Sequence, residues 1–391
     1  MISRFILAAG LALLMVVSGV GSYMYLGSRE SNLAATPELP TAASPTPGAF
    51  RLPGTLFLTQ NGAIYSLSAG RFHQITAAAG WTQLANYPGD NLLAVKRSLL
   101  SSDVYILNRF GKELRRLTVN SVSSRNPDPS ARHWAFYPRL SFNNKSLFFS
   151  YDKPKIGFDV PMSIWAMPPG GTISQARLWT VSIDYTGGDM QPLPLPNGGL
   201  IYTKYLYYDR KIISQIWYTP GPERQYGCSP LCIAPPPGQA GIGRPLTKPG
   251  EDCSQPSLSP DRKTIAMICS RQTQVSYLAL ASWSGSKLGT RRFIITNQLV
   301  AQPTWAPDGS GIAYLAPAQL GQGFQLWFLP KLAYAPPVPS PSPSPGATPA
   351  GTSTPIPSPT PSPVPSPTPV KPVEITSHLA FDATSPIAWF P

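Results

Sequence analysis

The chain has 391 residues, among them 48 Pro and 32 Gly, with 13% charged residues and a formal net charge of +13. Such a length suits one large all-β domain with appendages, and Pro and Gly in this excess, beside so few charges, must lie in turns and unstructured segments. Arg4 and Arg29 are balanced by Glu30 and Glu38, so the whole positive surplus lies after residue 50.

Residues 5 to 27 carry no charge, with Arg4 before them and Arg29 after. A helix of this length rises about 34 Å against a hydrocarbon core of about 30 Å, so residues 1–27 are expected to form a transmembrane anchor. Arg4 favours a cytoplasmic start, which makes a single-pass cell-membrane protein with the rest of the chain on the extracytoplasmic side. The competing reading is a signal peptide cleaved near Gly19-Val20-Gly21, leaving a secreted protein. No Cys follows the segment, which excludes a lipoprotein anchor. Residues 28–53, with Thr36-Pro37 and Ser44-Pro45-Thr46-Pro47, read as a disordered stalk.

Residues 55–59, 63–67 and 71–76 then read as three strands. A repeat comes next. Gln255-Pro256-Ser257-Leu258-Ser259-Pro260-Asp261 leads into residues 263–267, and Gln302-Pro303-Thr304-Trp305-Ala306-Pro307-Asp308-Gly309 leads into residues 311–315. Each copy reads as strand, tight turn, strand, because Pro presets φ at the first central turn position and Asp and Gly tolerate the conformations needed in the rest of the turn. Weaker copies run over 83–95, 137–149 and 191–202, with turns at Tyr87-Pro88-Gly89-Asp90, Phe142-Asn143-Asn144-Lys145 and Leu195-Pro196-Asn197-Gly198. A period of roughly 45 to 65 residues with about four short strands per unit is that of propeller blades. Residues 385–391 read as a sixth innermost strand standing alone. The three strands at 55–76 complete it, so the two ends are expected to share one blade and protect its edges.

These residues resemble the TolB-like family of six-bladed β-propellers, with its WD40-like Pro-Asp-Gly repeats built on a proline, a tryptophan and a Ser-Pro-Asp-Gly turn. The copy from Pro303 to Gly309 matches with Ala306 in place of Ser, and Arg262 replaces the turn Gly in the copy at Pro256. The resemblance covers residues 51 to 391 less one insertion, and implies a binding platform without naming a ligand. Some peptidases resembling this family add an α/β-hydrolase domain, for which no room remains after the last blade fragment.

The insertion is residues 335–372, nearly all Pro, Ser and Thr and expected to be an extended polyproline-type chain. Residues 324–332 read as the third strand of a blade and 373–376 as its fourth, so the insertion replaces a hairpin loop, at an entropic cost that grows slowly with length. It is either a solvated excursion or an O-glycosylated or wall-penetrating segment. The propeller is thus read over 54–334 and 373–391.

With the 259–262 turn centred on Asp261, Leu258 faces Thr264 and Cys253 stands opposite Cys269, close enough to bridge. Cys228 and Cys232 lie in a Pro- and Gly-rich loop and are expected to form a second, local disulfide. The spacing does not suit a metal site.

Three histidines, His73, His133 and His378, are scattered, and no nucleophile elbow, phosphate loop or His-Glu-x-x-His occurs. No catalytic residue, metal or cofactor is assigned. Asp189, Asp252, Asp261, Asp308 and Asp382 fall at turns or junctions, where Asp serves the backbone; a Ca²⁺ or carboxylate-pair site in the channel is the alternative.

Aligning the blades on their turns brings Gln83, Gln191, Gln255 and Gln302 to equivalent positions at the start of the innermost strands, with Tyr137 and Ser385 in the remaining two. A ring of neutral amides at one channel mouth donates and accepts hydrogen bonds without the desolvation cost of charge, which suits a peptide backbone, a chain terminus or a sugar. The competing reading is that these residues satisfy buried backbone groups or hold channel water. Arg115, Arg116, Arg291 and Arg292 fall on expected outermost strands, where charge discourages edge pairing. The remaining surplus favours lipid headgroups or acidic wall polymers, and an exported chain has no call for nucleic acid. Residues 201–211 interleave Tyr with Lys and Arg, as a binding surface or as packing between blades.

The expected function is a membrane-tethered, extracytoplasmic propeller that binds or scaffolds a protein or cell-envelope polymer without catalysis. The rival is a channel-mouth hydrolase or lyase acting on sugars or lactones. A sensory or structural ectodomain is the third reading.

Overall fold

The computed structural model describes residues 51–121, 131–153, 155, 161–183, 185–223, 243–270, 275–296, 298–331 and 371–391. These form six four-stranded antiparallel sheets, the blades of a propeller. The second blade is β4 (Trp81–Tyr87), β5 (Asn91–Arg97), β6 (Ser102–Leu107) and β7 (Glu113–Arg116). The third is β8 (Ala135–Leu140), β9 (Leu147–Tyr151), β10 (Ser163–Met167) and β11 (Arg177–Leu178), and the fourth is β12 (Asp189–Pro194), β13 (Leu200–Tyr208), β14 (Lys211–Thr219) and β15 (Arg244–Pro245). The fifth is β16 (Cys253–Leu258), β17 (Thr264–Cys269), β18 (Tyr277–Ser282) and β19 (Arg292–Ile295), and the sixth is β20 (Ala301–Trp305), β21 (Gly311–Pro317), β22 (Phe324–Pro330) and β23 (Val373–Glu374). Each blade counts outward from its innermost strand.

The first blade is shared between distant parts of the chain. Strand β24 (Ala388–Phe390) lies innermost and pairs with β1 (Thr55–Gln60), followed by β2 (Ala63–Ser68) and β3 (Arg71–Gln74). Leu56 stands opposite Trp389, and the Trp389 indole N–H donates to the carbonyl of Pro53 at 2.7 Å. Gly54 has φ +68°, and a Cβ there would meet the Phe390 carbonyl, so this crossing needs glycine.

The core is divided among the six blade interfaces. Leu93, Val95 and Val104 of the second blade meet Leu147, Phe149 and Tyr151 of the third, and Leu56, Leu58 and Trp389 of the first meet Leu315 and Phe328 of the sixth. Middle strands are packed on both faces, which explains why β9 and β21 are buried along their whole length instead of alternating. The outermost strand β7, by contrast, exposes Glu113, Leu114, Arg115 and Arg116. Arg292 likewise starts an outermost strand, while Arg291 just before it pairs with Glu251.

Cys253 and Cys269 are joined by a disulfide, with Cα atoms 4.0 Å apart. The register leading there differs from the sequence reading: Leu258 pairs with Ile265, not Thr264. A β-bulge between Ser254 and Ser257 takes up the extra residue and restores the cysteine pairing. Cys228 and Cys232 lie outside the described residues.

Third strand β22 and fourth strand β23 flank the proline-rich insertion, whose residues 335–370 lie outside the described part. Among the described residues no helix is long and apolar enough to cross a membrane. Residues 1–50, which hold the expected anchor and nearly all of the stalk, are not among them.

Candidate functional site

The innermost strands of blades two to six share one irregularity. Their ladders slip between Thr82 and Ala85, Phe136 and Arg139, Met190 and Leu193, Ser254 and Ser257, and Ala301 and Thr304. The first bulged residue is Gln83, Tyr137, Gln191, Gln255 or Gln302, and each holds a left-handed φ between 52° and 55°. In four of the five the next residue is Pro, which has no N–H to give and is tolerated where the ladder breaks.

A bulge leaves its first N–H without a ladder partner, and buried donors must be satisfied. Here the neighbouring blade supplies the acceptor. The N–H of Tyr137 donates to Gln83 Oε1 at 2.8 Å, that of Gln255 to Gln191 Oε1 at 2.9 Å, and that of Gln302 to Gln255 Oε1 at 2.6 Å. Gln83 N–H donates to Ser385 Oγ at 2.7 Å, and Gln302 Nε2 closes the circle on the Ala383 carbonyl at 2.9 Å. The Tyr137 hydroxyl hydrogen-bonds the Gln191 and Gln83 side chains, and burial pushes it up to about 12, so it stays a neutral phenol. The six aligned residues therefore do come together, and the side-chain oxygens of Gln83, Gln191, Gln255 and Ser385 and the amide nitrogen of Gln302 stitch blade to blade.

Tyr137, Gln191, Gln255 and Gln302 also form the inner end of a central cavity of about 340 Å³. Gln83 instead lines a separate cavity of about 310 Å³ with Asp382 and Thr384, and Ser385 is buried. The central cavity runs from the amide ring to the turns that follow the innermost strands. Its wall mixes the apolar Leu140, Phe142, Leu193, Leu258, Trp305 and Ile387 with the polar Asn86, Ser257, Ser259 and Thr304.

Among the described residues one charged side chain, Arg139, lines this cavity. Its Nη1 donates to the Leu84 carbonyl at 3.0 Å, and no described carboxylate forms an ion pair with it. Burial pulls its pKa down to about 10, which still leaves it a cation at neutral pH. At the outer end, the Arg262 guanidinium lies 5.2 Å from the centre of the Phe142 ring, reaching past the fourth blade. In the sequence Arg262 stands out only as a departure from the turn pattern, and Arg139 does not stand out at all; a lone Arg in a strand carries no signal until the channel is closed around it.

Other polar groups serve the fold. Asp252, Asp261, Asp308 and Asp382 accept from nearby backbone or hydroxyl groups, as expected of turn and junction residues. Asp189 differs: it is fully buried and holds Lys204 Nζ at 2.9 Å and 3.2 Å. Burial raises its carboxyl to about 6 against the pull of that lysine. His133 Nδ1 lies 2.9 Å from Asp152 Oδ1, a pairing the scattered histidines did not reveal. No serine, threonine or cysteine side chain hydrogen-bonds the His133 ring among the described residues. Nor do three His, Cys, Asp or Glu residues stand together there as metal ligands. The 201–211 segment divides between its two readings, since Tyr202 packs against Phe148 and Trp217 between blades while Tyr207 and Tyr208 are half exposed.

Six closed blades, the first of them shared between residues 55–74 and 388–390, define a six-bladed β-propeller. No protein-family model and no curated protein matches the chain. Among solved structures it is similar to TolB from Acinetobacter baumannii, with 15% identity and a TM-score of 0.49 over 72% of this chain and 62% of that one. The alignment thus spans less than two thirds of the Acinetobacter protein. It is also similar to the protein assigned as TolB in Agrobacterium tumefaciens, with 15% identity and a TM-score of 0.45 over 73% of this chain and 86% of that one. A gluconolactonase from Xanthomonas campestris is similar too, with 12% identity and a TM-score of 0.42 over 72% and 84%. These are likenesses of fold.

Proposed function

We propose that this protein is a membrane-tethered, extracytoplasmic propeller that binds a protein or envelope ligand in its central channel without catalysing a reaction. The observation that carries this reading is the character of the cavity: aliphatic and hydroxyl side chains, amides and one cation without an ion pair, with no acid or histidine facing it among the described residues. Such a lining recognises, but offers no general base and no nucleophile with a base beside it. Residues 5 to 27 are the proposed anchor, and exposed arginines such as Arg115 keep the domain in anionic surroundings.

The test uses the full chain captured from detergent-solubilised membranes of cells that express it, beside Thr304→Trp, which fills the channel from a wall position. A partner held by wild type and lost with Thr304→Trp is expected. A partner retained equally by both places binding elsewhere. Gluconolactone and related sugar lactones are to be assayed in parallel, with and without divalent ions. Turnover above buffer that disappears with Thr304→Trp would favour the channel-mouth enzyme. Protease added to intact cells or spheroplasts is expected to remove the propeller and leave the anchor.

A further inference from the structure

We infer that the channel is a carboxylate site: Arg139 inside it takes the C-terminal carboxylate of a peptide that ends in apolar residues, and Arg262 beside Phe142 at the mouth adds to the positive field that draws it in. This rests on the reading of the channel as a binding site, and names what it binds.

The first observation is the unpaired guanidinium. Arginine carries five N–H donors, and the described structure gives Arg139 a single acceptor, the Leu84 carbonyl. A cation held in a cavity without a counter-charge is costly, which is why buried charges are ordinarily paired. The same propeller shows the ordinary arrangement at Lys204, whose ammonium meets both oxygens of Asp189 and the carbonyl of Val181. A carboxylate entering the channel would give Arg139 the planar, two-oxygen partner that its fork geometry fits.

The second observation is independent and lies in the backbone of the mouth. Four turns after the innermost strands close alike, with the N–H of the fourth turn residue donating to the carbonyl of the first: Asn144 to Ser141, Gly198 to Leu195, Arg262 to Ser259 and Gly309 to Ala306. All four donors have left-handed φ, at 57°, 83°, 61° and 71°. Gly and Asn accept that conformation readily, whereas Arg is disfavoured in it. The single long side chain in this set is a cation, and it lies over Phe142, a wall residue of the channel. A disfavoured backbone that places a charge at a cavity mouth points to use of that charge.

The aliphatic part of the wall favours a peptide end. Leu140, Leu193, Leu258 and Ile387 match aliphatic side chains, and the hydroxyls of Ser257 and Thr304 on the same wall suit a peptide backbone. A volume of about 340 Å³ lies at the small end of ligand pockets, which suits a chain end more than a chain's length.

The experiment is equilibrium dialysis of the full chain in detergent, read by mass spectrometry. The probe is a pool of N-acetyl tripeptides built from Leu, Ile, Val and Phe, offered as free acids and as C-terminal amides, with glucuronate in a separate arm. Wild type is expected to retain acids over amides by about tenfold or more, the range of a charge-assisted hydrogen bond. Arg139→Met is expected to bring that ratio below about twofold, and Arg262→Gly to lower it while the turn folds as its glycine counterparts do. Should Arg139→Met fail to fold, Arg262→Gly carries the test. Equal retention of acids and amides by wild type, or an unchanged ratio in Arg262→Gly, overturns the inference, as does glucuronate retained more strongly than the peptides. Partner capture sensitive to Thr304→Trp beside equal retention of acids and amides would remove this inference and leave the binding role intact.

Discussion

Lys204 and Arg139 are both held inside this propeller, and the difference between them separates what builds the fold from what is left for a ligand. Lys204, in the middle strand β13, is buried with Asp189 and the Val181 carbonyl satisfying its ammonium. Arg139, on the channel wall, keeps most of its donors without a described partner. The two ends of the channel differ in the same way. At the inner end, five left-handed residues are tied across blades by their side chains; at the mouth, Arg262 holds a similar φ with only the Phe142 ring beneath it. Left-handed residues are tied across blades where the ring is held together, and held only within their own turn where the channel opens.

Breaking the closure should have the largest effect. Trp389→Ala removes a buried indole from the interface of the first and sixth blades together with its bond to Pro53, and about 3–5 kcal/mol of stability is expected to go in denaturant unfolding. The paired cation predicts a pH effect. Because burial raises the Asp189 carboxyl to about 6, the unfolded chain gives up this proton first as pH rises. The contribution of Asp189 to stability is then full below about pH 4 and falls as pH rises to about 6. Unfolding of wild type and Asp189→Asn across that range should show wild type losing stability relative to the variant.

At the stitched inner end, Gln255→Ala orphans the N–H of Gln302 and is expected to cost about 1–3 kcal/mol. At the mouth, Arg262→Gly should change stability by less than about 0.5 kcal/mol, since relief of the left-handed backbone is offset by glycine's freedom in the unfolded chain. A large loss in Arg262→Gly, or none in Gln255→Ala, would erase the distinction between the two ends.

The architecture was legible because its signals are local. Pro and Asp fix a turn within four residues, the turn fixes a hairpin, and the repeat of hairpins fixes the blade; the shared first blade came from one strand left over at 385–391 and three at 55–76. The register of Leu258 was missed by one residue because a bulge is invisible in a strand pattern, although Gln-Pro at the same place in three innermost strands and Tyr-Pro in a fourth mark it once the bulge is known. The alignment of Gln83, Gln191, Gln255 and Gln302 was also legible, with their use in stitching open as one of two readings. Arg139 and the Lys204–Asp189 pair were not, because what gives each its meaning is a neighbour from another strand or another blade.

Photo-crosslinking in intact cells measures most directly where a ligand meets the propeller. Benzoylphenylalanine placed at Phe142, on the mouth of the channel, is expected to trap one discrete partner, whereas the same group at Leu320, exposed in the β21–β22 turn on the opposite face, is expected to trap none. A discrete adduct at Leu320 with none at Phe142 would contradict binding in the channel.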